Sequence, residues 1–197
     1  MKKSLAIILG IIALVVVLGG WFIKTRNNLV VQDENVNNAW SNVETAYQRR
    51  ADLIPQLVNT VKGASNFEKE TYTAVTEARK TASDIKLTGD DLTEENIARF
   101  QKAYDNLAKE MTRAINVTVE AYPDLKATQE YANLMVQLEG CENRISVERK
   151  NFNDVVTNYN KTIRQFPASI VANMSGFEKK STFKASEGAD VAPAVEF

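Results

Sequence analysis

The chain has 197 residues, with 24 Lys and Arg against 25 Asp and Glu, no histidine and one cysteine. Because charges of both signs are mixed along the chain, it shows no basic face for a nucleic acid. Without histidine it lacks Ser–His and Cys–His nucleophile pairs and most zinc sites, and one cysteine gives no internal disulfide. No glycine-rich phosphate loop occurs. We therefore predict no enzyme, no cofactor, no metal and no small-molecule substrate.

The first predicted element is a membrane-spanning helix. Residues 5–23 are all apolar or glycine, with Lys2 and Lys3 before them and Lys24 and Arg26 after them. About nineteen residues, each rising about 1.5 Å, span a hydrocarbon core of about 30 Å. The rest of the chain is polar enough to be soluble, so the sequence predicts a soluble module on one N-terminal anchor.

A cleaved signal peptide is the alternative to this anchor. The apolar run continues through Trp21 and Phe22 beyond the small residues that a cleavage site needs, which favours an uncleaved single-pass anchor in the cell membrane. A slight excess of positive charge at the N-terminus favours a module outside the cytoplasm. The predicted divisions are an anchor over residues 1–28, a helical module over 29–180 and a disordered tail over 181–197.

The module begins with a long helix that can continue from the anchor. Its predicted apolar stripe, at steps of three and four, consists of Val36, Trp40, Val43, Tyr47, Ala51, Ile54, Val58 and Val61. Pro55 lies inside this stripe and predicts a kink between Ala51 and Ile54, because proline removes a backbone hydrogen bond. Residues 63–66, Gly-Ala-Ser-Asn, are expected to end the helix.

Two further helices follow with the same period. The second is predicted over residues 67–85, with Tyr72, Val75, Ala78 and Ala82 facing inward, and a loop follows over residues 86–91. The third is predicted over residues 94–122, capped by Thr93 or Asp91 and ended by Pro123. Its inner face comprises Ile97, Phe100, Tyr104, Leu107, Met111, Ala114 and Thr118.

The fourth helix shows a heptad repeat that ends at Pro167. One set of positions comprises Tyr131, Leu138, Ile145, Phe152, Tyr159 and Phe166, and the interleaved set comprises Leu134, Cys141, Glu148, Val155 and Thr162. Because Cys141 falls on this apolar repeat, we interpret it as a small core residue rather than a reactive thiol. A short segment follows over residues 170–177. Helices with one apolar stripe and short connections predict an all-α, elongated antiparallel bundle of about four long helices.

Three polar clusters are candidate surfaces. Arg49, Arg50 and Asp52 form either a partner or subunit contact or a plain surface ion pair between Arg49 and Asp52. The charged residues from Glu139 to Lys150 are interpreted as a solvated face, since a di-iron site would need histidines beside its carboxylates. A run of asparagines indicates either inter-helix hydrogen bonds or a binding surface; its members are Asn151, Asn153, Asn158 and Asn160.

Four stretches in order carry a family resemblance. They are RRADLIPQLV at residues 49–58, EAYPDLKA at 120–127, LEGCENRI at 138–145 and YNKTIRQFP at 159–167. With these stretches the chain resembles the LemA family of bacterial membrane-anchored proteins, from about Leu29 to Phe183. The resemblance implies an anchor and an elongated helical bundle, and it implies no catalytic residue. From the shared positions we take a candidate interaction patch of Arg49, Arg50, Asp52, Glu142, Asn143, Arg144 and Asn160.

The leading hypothesis is a non-enzymatic, membrane-tethered helical scaffold that self-associates or binds a membrane partner. One alternative is an accessory subunit of a membrane protease or envelope-stress system, and another is a hydrolase that uses Glu139 and Glu142. Self-association is suggested by a second apolar strip on the first helix, consisting of Leu29, Val30, Val31, Leu53 and Leu57. These five residues could instead cover the core of the monomer itself.

Overall fold

A computed structural model describes residues 2–62 and 69–184, with the side chains of 5–60 and 72–184. These residues form helices and no strand. The helices are α1 (Lys2–Ala51), α2 (Ile54–Lys62), α3 (Lys69–Ser83), α4 (Glu94–Ala121), α5 (Gln129–Arg164) and α6 (Ala168–Ser175), with 3-10 turns at Gly89–Asp91 and Pro123–Ala127. The predicted all-α bundle with an N-terminal apolar helix is confirmed.

The anchor and the first bundle helix are one element. Helix α1 has 50 residues, which at 1.5 Å each is about 75 Å of continuous helix. Every side chain from residue 5 to residue 21 is exposed, and in the described part of the chain this is the one helix long and apolar enough to cross a membrane. Burial begins with Leu29, which is fully enclosed. The predicted continuity of anchor and module is confirmed.

The predicted kink is a break between two helices. Asp52 and Leu53 separate α1 from α2, and the Leu53 amide donates to the Arg50 carbonyl at 3.2 Å. Pro55 is the second residue of α2, where a missing amide hydrogen costs nothing because the first turn has no partner for it. The apolar stripe continues across the break through Ile54 and Val58. The predicted end at residues 63–66 lies outside the described residues, and so does the side chain of Val61.

Helix α5 lies antiparallel to α1, and α4 lies parallel to it. Arg50 reaches Glu142, and ten residues nearer the N-terminus Trp40 contacts Phe152 at 5.4 Å between ring centroids. On the other side, Trp40 contacts Phe100 of α4 at 5.0 Å. The indole N–H of Trp40 donates to the Leu87 carbonyl at 3.1 Å. Trp40 therefore joins three helices and the α3–α4 connection.

Helices α3 and α4 match their predicted faces closely. All seven predicted residues of α4 are buried, and of the α3 face Val75, Ala78 and Ala82 are buried while Tyr72 is 41% exposed. Of the two candidate caps, Thr93 takes the role, because its side chain accepts the Asn96 amide at 3.3 Å. The helix ends at Ala121, directly before Tyr122 and Pro123.

The heptad predicted for α5 is wrong toward its C-terminus. The buried positions run Ile145, Glu148, Phe152, Val156, Tyr159 and Ile163, so Val156 and Ile163 replace the predicted Val155 and Thr162. Phe166 is 81% exposed. A straight α-helix has 3.6 residues per turn, so its buried stripe drifts away from a strict seven-residue repeat unless the helices supercoil.

Helix α6 reverses the chain and leads into an extended segment. Gly176 ends α6 in the left-handed region, with φ of 75°, a conformation that favours glycine. Residues 177–184, which we name the C-terminal strap, then run back along α5. Phe183 of this strap is buried, so residues that pack on the bundle extend into the first part of the predicted tail. Residues 185–197 of the predicted tail lie outside the described residues.

The second apolar strip on α1 and α2 largely serves the core of the monomer. Leu29 and Leu57 are fully or almost fully buried, and Leu53 packs against the core while partly exposed. Val30 and Val31 stay exposed, at 45% and 60%. The three leucines of the strip therefore cover the core of the monomer itself. The strip no longer supports self-association.

Replacing Phe152 by alanine is expected to lower the free energy of unfolding by about 3–5 kcal/mol, because it leaves a cavity beside Trp40. The measurement is denaturant unfolding of the full-length protein in detergent, followed by far-ultraviolet circular dichroism. Phe166→Ala is the matched control, since the same side chain is there 81% exposed. Equal effects of the two substitutions would contradict the packing described for α5.

Candidate functional site

Arg50, a member of the predicted patch, is a buried link between three helices. Only 3% of it is exposed. Its Nη1 donates to the Glu142 carboxylate at 2.5 Å, and its Nη2 donates to the Tyr104 carbonyl at 2.9 Å. The guanidinium also lies over the Tyr47 ring, 5.3 Å from its centroid. A planar group with several donors suits such a junction, so Arg50 and Glu142 hold α1, α4 and α5 together.

The other predicted patch residues do not gather around this link. Asp52 accepts from Gln48 at 2.8 Å and lies 3.5 Å from Arg79, rather than pairing with Arg49. Arg49 and Asn143 are exposed. Asn160 lies eighteen residues beyond Glu142 on α5, which is about 27 Å along the helix. The patch thus divides into a junction near Arg50 and a separate site at Asn160.

The charged face predicted for α5 is only partly solvated. Glu148 is 7% exposed, and its carboxylate lies 2.9 Å from the exposed Arg144 guanidinium. Glu142 is also engaged, by Arg50. Two of the acidic residues on this face therefore pair with arginines, Glu142 with Arg50 of α1 and Glu148 with Arg144 of the same helix. Among the described residues, no group of three acidic or cysteine side chains is placed to hold a metal ion.

Asn160 and Asn153 bind the C-terminal strap through paired hydrogen bonds. The Asn160 amide donates to the Lys180 carbonyl at 2.8 Å and accepts from the Lys180 N–H at 3.0 Å. Asn153 does the same with Phe183, at 3.1 and 2.9 Å. Seven residues along a helix cover about 10.5 Å, and three along an extended chain cover about 10 Å. Asparagines seven apart therefore match an extended backbone.

The strap also places two side chains in the bundle. The Lys180 ammonium, 8% exposed, donates to the Gly89 carbonyl at 2.7 Å and lies 3.3 Å from the Asp33 carboxylate. Phe183 stacks on Trp40 at 5.9 Å. Arg149 covers its outer face at 4.8 Å. Sequence periodicity could not find these contacts, because an extended segment held by scattered polar groups has no apolar repeat.

A second set of asparagines lines an open groove between α1 and α5. We name it the asparagine groove. Its volume is about 410 Å³, and its lining comprises Asn35, Asn38, Asn42, Asn151 and Asn158 together with Gln32, Ala39, Val155 and Tyr159. All five asparagine side chains are exposed. Within the described part of the chain none of them hydrogen-bonds to the protein through its amide. The groove therefore offers uncharged donors and acceptors that the fold does not use.

The asparagine groove repeats the spacing of the strap contacts. Asn151 and Asn158 are seven residues apart on α5, as Asn153 and Asn160 are. Asn35 and Asn42 are seven apart on α1. The antiparallel register set by Trp40 and Phe152 brings Asn42 opposite Asn151 and Asn35 opposite Asn158. The groove thus carries two pairs of facing asparagine amides, and the pairs are about 10.5 Å apart along the helices.

Two titratable groups near these sites are held in their neutral forms. Burial raises the pKa of the Tyr159 phenol, and nearby carboxylates raise it further; its hydroxyl donates to the Glu178 carbonyl at 2.9 Å. Burial and the neighbouring Glu142 raise the pKa of the half-buried Cys141 thiol. A raised thiol pKa reduces the thiolate fraction at neutral pH, so reactivity is suppressed.

Comparison with known proteins agrees with the resemblance noted above. The family model described as "LemA family" matches residues 39–197. The chain belongs to the LemA family. It is 28% identical over 163 residues to the Protein LemA of Metamycoplasma hominis, covering 82% of this chain and 70% of that protein.

Two further similar proteins are described as magnetosome proteins. The chain is 23% identical over 184 residues to the Magnetosome protein MamQ of Magnetospirillum gryphiswaldense. It is 22% identical to the Magnetosome protein MamQ 1 of Paramagnetospirillum magneticum. These matches cover 83% of this chain and 66% of each relative, so the chain spans just under two thirds of these proteins.

Asn160→Ala is expected to lower the free energy of unfolding by about 1–3 kcal/mol, because it removes both partners of the Lys180 backbone. Hydrogen exchange at the Lys180 and Ser181 amides should speed up in parallel. Asn158→Ala, two residues away with an exposed amide, is the control and should change stability by less than about 0.5 kcal/mol. Equal stability losses would show that the strap is not held by Asn160.

Proposed function

We propose that this LemA-family protein is a non-enzymatic, membrane-tethered helical scaffold whose asparagine groove holds an extended segment of a membrane partner. The observation that carries the proposal is the matched spacing: one face of α5 holds the extended strap with asparagines seven apart, and the other face presents Asn151 and Asn158 at the same spacing. This contact requires no particular side chain in the partner, because the asparagine amides hydrogen-bond to the backbone of the partner.

The chemistry of the groove suits a peptide backbone. A side-chain amide carries both a donor and an acceptor, as a peptide unit does, so one asparagine can form two hydrogen bonds to one residue. An extended segment without a partner strand leaves its N–H and C=O groups free for such contacts. Facing asparagines on α1 and α5 could engage both edges of that segment. The absence of charge among the five asparagines favours a neutral backbone over an ionic ligand.

The distance of the groove from the end of the apolar run favours a membrane protein as the partner. Asn35 lies twelve residues beyond Ile23, and Asn42 nineteen beyond it, on the same helix. These separations are about 18 and 28 Å. A segment along the groove would run away from the bilayer over that range, as a polypeptide emerging from a neighbouring membrane span would. Confinement of both proteins to one membrane raises their effective concentration, so a few hydrogen bonds can suffice.

Self-association and a specific accessory role are narrower forms of the scaffold hypothesis. The second apolar strip on the first helix no longer supports self-association, because Leu29 and Leu57 belong to the core. An accessory subunit of a membrane protease or envelope-stress system would use the groove for one dedicated partner. The partner's identity distinguishes these forms.

Photo-crosslinking in intact membranes tests the proposal. A benzoylphenylalanine at Asn38, between the paired asparagines, is expected to capture a membrane protein, whereas the same probe at Val147 on α5, 60% exposed, should not. Adding Asn42→Leu and Asn151→Leu should abolish the adduct, since leucine keeps the bulk and removes the amides. Co-expression of two differently tagged copies separates a partner from a second copy.

Capture that survives removal of the amides, or that occurs equally at Val147, would contradict binding through the asparagine groove. An adduct made only of two tagged copies would replace the partner with self-association. Circular dichroism of each variant checks that the bundle is intact.

A further inference from the structure

The base of the bundle begins where the membrane span ends. Phe22, the penultimate residue of the apolar run, packs against the core while partly exposed. Trp21 and Lys24 of α1 share a groove with Ala168, the first residue of α6. The turn between α5 and α6 therefore lies level with the end of the span. Headgroups extend about 5–8 Å beyond the hydrocarbon, so this turn lies within the headgroup layer.

Large apolar side chains are exposed at this base. Phe166, Ile170 and Met174 follow one another at steps of four residues and are 81%, 47% and 72% exposed. Ile170 and Met174 are four residues apart on α6 and therefore lie on one side of it, and Phe166 precedes them in the turn between α5 and α6. The opposite side of α6 carries Val171 and Ala172, which are buried in the core. Helix α6 thus has one face for the bundle and one apolar face that no described residue of the chain covers.

Basic side chains occur on both of the helices that reach this base. Lys24 and Arg26 are exposed at the end of the span, and Lys161 and Arg164 are exposed in the last turn of α5. No aspartate or glutamate occurs among residues 1–32. Apolar side chains together with basic ones at the membrane level are the combination that anionic lipid surfaces bind.

We propose that Phe166, Ile170 and Met174 insert into the headgroup layer, with Lys24, Arg26, Lys161 and Arg164 contacting anionic lipid headgroups. The occupant of this face is the lipid surface that the anchor already crosses. An aromatic ring such as Phe166 is favoured at the boundary between hydrocarbon and headgroups. The contact fixes the tilt of the module relative to the bilayer, and it does not depend on the asparagine groove.

The test places a fluorescent probe on this face in the full-length protein. In a Cys141→Ser background, Phe166→Cys is labelled with an environment-sensitive nitrobenzoxadiazole dye and reconstituted into vesicles of phosphatidylcholine and phosphatidylglycerol, mixed three to one. The emission should shift to the blue, and nitroxide-labelled lipid should quench it severalfold more than the same dye at Val147→Cys. Both positions are exposed in the bundle, so neither label disturbs the core.

Three outcomes would overturn the proposal. The first is equal quenching at residues 166 and 147, which would mean that the exposed face of α6 contacts water rather than lipid. The second is unchanged quenching at residue 166 in phosphatidylcholine alone and in the Lys161→Gln, Arg164→Gln variant, which would remove the role of anionic lipid. The third is shielding that depends on protein concentration in detergent, which would show that a second copy covers the face. A loss of quenching at residue 166 both in phosphatidylcholine alone and in the Lys161→Gln, Arg164→Gln variant supports the proposal.

Discussion

The constraint on which the rest of the structure depends is the unbroken helix α1. One helix is long and apolar enough to cross a membrane and also supplies Trp40, around which α4, α5 and the C-terminal strap assemble. No linker separates anchor from module, so a residue's position along α1 fixes its distance from the bilayer. Under the proposed anchoring, the bundle has a base at the membrane and a defined height, so the asparagine groove and α6 lie at different levels above the same surface.

The second organising element is the strap, which closes the bundle with polar contacts rather than with an apolar stripe. Asn153 and Asn160 hold its backbone, and Lys180 neutralises Asp33 on α1. A buried ammonium needs this degree of compensation, because an unpaired buried charge is costly. The same helix carries unused asparagines on its other side. The chain's own strap thus illustrates the mode of backbone recognition that the groove makes available to a partner.

Much of the fold, and little of the candidate site, could be predicted from the sequence. All seven residues predicted for the α4 face are buried, because burial along one helix follows local periodicity, although Ile115 and Val119 are buried as well and were not predicted. The α5 stripe was predictable until the true period of 3.6 moved burial from Val155 to Val156. The link between Arg50 and Glu142 joins positions 92 residues apart. Such a contact depends on the register of two packed helices, and no local pattern indicates it.

Hydrogen exchange across the membrane-proximal part of α1, in full-length protein reconstituted into lipid nanodiscs, tests the central claim most directly. The backbone amides of residues 24–35 should exchange slowly and to a similar extent, because each donates within one continuous helix that is supported by the bundle from Leu29 onward. Exchange of residues 24–29 at the rate of an unstructured chain would show a flexible linker between span and bundle, and would contradict the account.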